Sequence, residues 1–160
     1  MKILITDTSA LLAVLFSEPG SAEVESLFRE AEQIFASGLL EAETRSAAAR
    51  KNLPLGEVDE ALSRLLFFHP DRDLTAEIKT VLSSGISLRG ADLWHLACAL
   101  YLAGGPSALP FLTLDGAQAE AAARLGFKVL PGSPASGVSV RETRAAYRAG
   151  PSRVKRVKRK

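Results

Sequence analysis

The sequence predicts an α/β fold, a three-layer sandwich in which a mostly parallel central sheet is flanked by helices. Three observations predict it. Short apolar runs suited to strands alternate with longer helical segments over residues 1–131. The strand runs are apolar throughout rather than at every second residue, the pattern of a sheet covered on both faces. The chain's 160 residues, 47% hydrophobic and 24% charged, suffice for one packed core of ordinary size.

Element by element, residues 2–6 (KILIT) read as a fully buried first strand. A helix over 9–17 stops before Pro19-Gly20. Ser21 is placed to cap a second helix over 22–30, with Glu23 and Glu25 in its opening turns. Residues 33–37 (QIFAS) are a second strand, and the Ala- and Leu-rich segment 38–52 is a helix ended by Asn52-Leu53-Pro54. A helix over 55–66 leads to a short strand in FFHP, 67–70. Residues 75–82 form a helix closed by Ser83-Ser84-Gly85, and 90–103 (GADLWHLACALYLA) a largely apolar one. A strand over 110–114 (PFLTL), a helix over 116–125 stopped by Gly126, and a strand over 127–130 (FKVL) complete the body. Residues 132–160 read as a linker, a short helix over 139–148 and a basic, flexible tail.

The bulk numbers exclude several classes. One cysteine, Cys98, precludes an internal disulfide and agrees with a reducing compartment. Without a cluster of His and Cys, a structural zinc site is not expected. No apolar run is long enough to span a bilayer, and Asp7 interrupts the N-terminal apolar segment too early for a signal-peptide core, so the expected location is the cytoplasm. The net charge of +2 conceals an asymmetry: the last ten residues hold six of the 20 Lys and Arg and no acid, leaving a body of 14 basic and 18 acidic residues. The six tail cations, Arg153, Lys155, Arg156, Lys158, Arg159 and Lys160, are candidate phosphate contacts, with a solubilising end as the equal alternative. Arg89 is a further candidate, weighed against an ordinary surface arginine.

Four acids stand where a core argument does not put them. Asp7 and Asp115 each follow a strand and precede a helix. Capping explains either one alone. Two strands both ending in Asp, at the edge where parallel α/β sheets bind ligands, point further. Within the helix 38–52, Glu43 shares a stripe with Leu39, Leu40 and Ala47, whereas Glu41 lies four residues before Arg45 in the favourable order for an exposed ion pair. Glu43 is therefore expected on the core face, where a carboxylate is costly unless paired or bound to metal. Asp92 opens the apolar helix, with His95 on the same side; His95 reads as a satisfied, partly buried histidine, with a supporting use beside the acids left open. Four carboxylates without thiolates suit a hard cation, Mg²⁺ or Mn²⁺.

The segments ITDTSALLAVL, ASGLLEAETRSA, LRGADLWHLACAL and FLTLDGAQAEAAARLGFKVL together resemble the four motif blocks of PIN-domain ribonucleases, particularly the VapC type. The resemblance spans residues 1–131 and implies a PIN-like nuclease domain there, a parallel sheet flanked by helices. It implies hydrolysis of RNA phosphodiesters with Asp7, Glu43 and Asp92 holding Mg²⁺ or Mn²⁺ and Asp115 assisting. Ser9 and Thr113 match positions where the family often carries a hydroxyl near the metal. Two departures are Trp94, where a small or aliphatic residue is usual, and the basic extension after Leu130. VapC-type proteins act as toxins restrained by a small antitoxin and often dimerise, so the resemblance implies both partners; a stand-alone RNA-processing nuclease and a catalytically inactive scaffold are the alternatives. A haloacid-dehalogenase-type phosphatase also places Asp after its first strand, but it needs a second Asp two residues later, where this chain has Ser9.

Overall fold

The computed structural model describes residues 3–105 and 109–131. The expected linker, the helix over 139–148 and the six tail cations lie outside the described residues. Five strands and seven helices follow one another as β1 (Ile3–Thr6), α1 (Thr8–Leu15), α2 (Ser21–Glu30), β2 (Gln33–Ser37), α3 (Gly38–Arg50), α4 (Leu55–Ser63), β3 (Leu66–Phe68), α5 (Thr75–Leu82), α6 (Gly90–Ala103), β4 (Pro110–Leu112), α7 (Gly116–Arg124) and β5 (Lys128–Leu130).

All pairings are parallel, in the order β3-β2-β1-β4-β5. Strand β1 is central: Ile5 faces Phe35 of β2 on one side and Phe111 of β4 on the other. Adjacent residues of β1 point to opposite faces, and both faces are dry, with Leu4 at 0% and Ile5 at 2% exposure. Leu4 joins Leu11, Val24, Phe28, Leu40, Val58 and Leu62, which places α1 to α4 on one face. Ile5 joins Val81, Leu96, Leu100, Phe111 and Ala122, which places α5 to α7 on the other. The sandwich is thus three-layered, and the continuous apolar strands reflect helices on both sides.

From β1 the chain runs outward through β2 to β3, then crosses back to β4 and β5 on the far side of β1. The order reverses between β1 and β4, and open α/β sheets bind ligands beyond the carboxyl ends of strands at such a point. Asp7 and Thr113 follow those two strands directly.

Three local expectations are corrected. Ser21 is the first residue of α2 rather than its cap; Gly20 holds the cap position at φ +93°, a left-handed geometry that favours glycine, and no side chain closes the helix start. Several boundaries draw in: α1 ends at Leu15, α3 at Arg50, α4 at Ser63, and β4 at Leu112. The buried stripe of α3 runs through Leu40, Thr44, Ala47 and Ala48, and Glu43 sits at its edge with 32% of its side chain exposed. The i, i+3, i+4 spacing put Glu43 on the buried stripe, but the face is rotated by one residue and carries it to the lip of a cavity.

Candidate active site

Asp7 caps α1 with an acceptor oxygen 3.3 Å from the N–H of Ala10, and its carboxylate is otherwise enclosed at 3% exposure. The Ser9 hydroxyl donates to it at 2.8 Å and the Thr113 hydroxyl donates to Oδ2 at 2.8 Å. Ser9 Oγ also accepts the N–H of Leu114 at 2.8 Å, so the two hydroxyls bind the end of β1 to the end of β4. Burial raises the Asp7 pKa from 3.8 to about 6, against the pull of these donors and of His95. Capping and enclosure coexist at this residue.

Glu43 reaches the site from the second turn of α3. Its Oε2 accepts from the Thr8 hydroxyl at 2.5 Å and lies 2.8 Å from Nε2 of His95. The opposite ring nitrogen, Nδ1, lies 2.9 Å from the hydroxyl of Ser37 at the end of β2. With the ring proton on Nε2, Ser37 donates to Nδ1 and every group in the chain is satisfied. The His95 bond, ahead of the opposing effect of burial, holds the Glu43 carboxyl below its ordinary pKa. The histidine expected to be partly buried is fully so, at 4% exposure.

Asp92 lies in the first turn of α6. Partial burial, then the charge of Asp115, push its pKa up, while Arg89 draws it down. Asp115 caps α7 by accepting the N–H of Gln118 at 2.8 Å. Gln118 is wholly buried: its amide donates to the Asp92 main-chain carbonyl at 3.2 Å, and its Oε1 faces the Thr113 hydroxyl at 3.1 Å. One side chain therefore spans the first turn of α6, the end of β4 and the start of α7.

Asp7, Glu43, Asp92 and Asp115 line one cavity of about 550 Å³, shared with Arg50 and Arg89. Among the described residues no three His, Cys, Asp or Glu side chains stand close enough to chelate an ion as they are. The charge of Asp115 pushes the Asp92 pKa up, as like charges lining one cavity do. The donor chemistry fits a hard divalent cation: the four acids offer oxygen donors, and one of them, Asp7, is a desolvated carboxylate with no Lys or Arg bonded to it among the described residues. A second hollow of about 200 Å³, beside Arg72, Glu77 and Tyr101, contains none of these acids.

Sequence reasoning passed over Thr8, Ser37, Arg50 and Gln118. Only Gln118 carried a usable signal: it occupies the same helical stripe as the buried Ala121 and Ala122, so a polar residue on an apolar face was visible. Trp94 is half-buried among the residues packed against the core of α5 to α7. Among the described residues no helix is long and apolar enough to cross a membrane.

Comparison with known proteins adds one match. The family described as PIN domain matches residues 4–124. No curated protein matches the chain.

Proposed function

The chain belongs to the PIN domain family, and from that premise we propose that it is a divalent-metal-dependent endoribonuclease. PIN domains are generally metal-dependent nucleases; RNA as the substrate, Mg²⁺ or Mn²⁺ as the ion and the assignment of individual residues are the proposal. The observation that carries it is that four carboxylates, from the end of β1, from α3, from α6 and from the cap of α7, line the wall of one cavity.

Asp7, Glu43, Asp92 and Asp115 would hold the ion. When bound, such a cation lowers the pKa of a water and stabilises charge on a leaving oxygen. The protein's own part is preparation. Ser9 and Thr113 fix the Asp7 carboxylate by donating to both of its oxygens. Thr8 and His95 fix Glu43. An acidic wall without a cation repels a phosphodiester, so substrate and ion enter as linked partners. No side chain need act as nucleophile.

Within this class we read the protein as the toxin of a toxin–antitoxin pair, acting in the cytoplasm as a homodimer and restrained by a small antitoxin. The support is the similarity of its four motif blocks to the VapC type. Cleavage of RNA with Mg²⁺ or Mn²⁺, set against EDTA and against Asp92→Asn, tests the nuclease. Full activity of Asp92→Asn with metal present would end the assignment. Growth arrest on induction of the wild type but not of Asp7→Asn separates a toxin from a stand-alone nuclease; growth unaffected by both removes the toxin reading.

A further inference from the structure

Among the described residues, one cation on the cavity wall has no acidic partner. Among the described residues, Arg29, Arg45, Arg72 and Arg124 each pair with a carboxylate on their own helix or a neighbouring segment. Arg50 pairs with none; its Nη1 donates to the hydroxyl of Ser46 at 2.7 Å. Ser46 and Arg50 line the same cavity as Glu43, at three and seven residues further along α3. The bond to Ser46 turns the guanidinium back along the helix toward the acids and uses one of its five N–H donors. Arg89, the other cation of the wall, already acts on Asp92.

Charge and spacing then define what Arg50 can take. An anion entering a wall of four carboxylates is stable only beside a cation, and a guanidinium fork matches phosphate oxygens in pairs. Seven residues of helix separate Glu43 from Arg50 by about 10 Å, so the phosphate it meets is a neighbour of the one beside the acids. We propose that Arg50, held by Ser46, is a phosphate subsite that grips the backbone of a single-stranded RNA next to the cleaved linkage and sets the strand's path along α3. This rests on the nuclease reading given above, whose own residues are the four acids.

The test separates the two. Full-length chain carrying Asp7→Asn, with Mg²⁺ present, is titrated with a short labelled single-stranded RNA, and binding is followed by anisotropy over a range of salt. Adding Arg50→Ala should weaken binding roughly five- to tenfold for any RNA sequence and reduce the slope of log affinity against log salt by about 0.7. Arg50→Lys should keep the slope, since the charge remains. In the cutting enzyme, Arg50→Ala should raise KM and leave kcat near its original value. Unchanged affinity and slope in a chain that still binds RNA overturn the subsite and leave the nuclease standing. If the Asp7→Asn chain binds no RNA at any salt and the wild type cuts none with metal, the nuclease reading falls and the subsite falls with it.

Discussion

Nε2 of His95 stands 2.8 Å from Oε2 of Glu43, and this contact helps to fix a carboxylate that caps no helix. Asp7 and Asp115 are oriented by the helices they cap, and Asp92 lies in the first turn of α6. Glu43 leaves mid-helix at the lip of the cavity, where His95 and the Thr8 hydroxyl hold it. His95 is in turn held by Ser37, so a residue from the end of β2 sets the direction of a side chain on α3.

Replacement of His95 by Ala should therefore act on metal binding as well as on folding. Groups that orient a ligand typically contribute 10- to 100-fold in metal affinity, and an orphaned buried hydroxyl at Ser37 costs about 1–3 kcal/mol. Mn²⁺ binding followed by electron paramagnetic resonance, beside urea denaturation, measures both. His95→Gln, which can still present an N–H toward Glu43, should recover part of the affinity. Equal affinities in wild type and both variants would show that Glu43 needs no such support.

Asp7 sets a pH dependence with a definite sign. Its pKa in the fold is about 6 against an ordinary 3.8, because burial disfavours the charged form. A raised carboxyl pKa leaves its stability contribution complete below pH 3.8 and removes it as pH climbs through 6, by roughly 3 kcal/mol in all. Metal-free Asp7→Asn, which has no charge to bury, should thus gain on the wild type as pH rises from 4 to 8. Urea denaturation in EDTA at the two pH values checks this; a variant that loses ground to the wild type between pH 4 and pH 8 would contradict it.

Gln118 is the clearest structural target outside the acids. Its amide joins α6 to β4, and Gln118→Met keeps the volume while removing both bonds. The expected cost is about 1–2 kcal/mol from the lost hydrogen bonds. Because the Asp92 carbonyl loses its tie, Mn²⁺ affinity should fall with it. A variant that loses stability yet binds Mn²⁺ as before would make Gln118 a packing residue only.

What was legible in the chain was what is local. Asp7 and Asp115 could be found because each sits at a strand-to-helix junction a few residues long, and α5 and α6 were bounded correctly because Gly85 and Gly104 end them with positive φ. The Glu41–Arg45 pair followed from a four-residue spacing and is present at 2.8 Å. Glu43 was found on a correct periodicity but assigned too much burial, since spacing gives a face and not the shape of what covers it. The ties from His95 to Ser37 and from Thr113 to Asp7 cross 58 and 106 residues, and no periodicity in one segment carries such a partner.

Thr44 offers a different kind of gain. It is fully buried on α3, and its hydroxyl has no hydrogen-bond partner among the described residues. An unmet buried hydroxyl costs about 1–3 kcal/mol. Thr44→Val keeps the shape and removes the oxygen, so stability should rise by roughly 1 kcal/mol. Thermal and urea denaturation read this directly, and a loss in both would mean that the hydroxyl has a partner.

Metal addition should reverse the order that pH creates at Asp7. In EDTA at pH 8 the Asp7→Asn chain should be the more stable. A cation bound only by the folded state stabilises it by about 4.1 kcal/mol at a thousand times its dissociation constant, more than the roughly 3 kcal/mol lost on charging buried Asp7 and roughly 12 °C in Tm for a domain of this size. The wild type should therefore overtake Asp7→Asn as Mn²⁺ or Mg²⁺ is added, while Ca²⁺-free buffer salts of equal ionic strength leave the order unchanged. The crossing requires that the carboxylate costly to bury alone is the one the cation repays, since a general salt effect would move both proteins together. Differential scanning fluorimetry across a metal titration follows both chains at once, and parallel curves without a crossing would remove Asp7 from the metal-binding set.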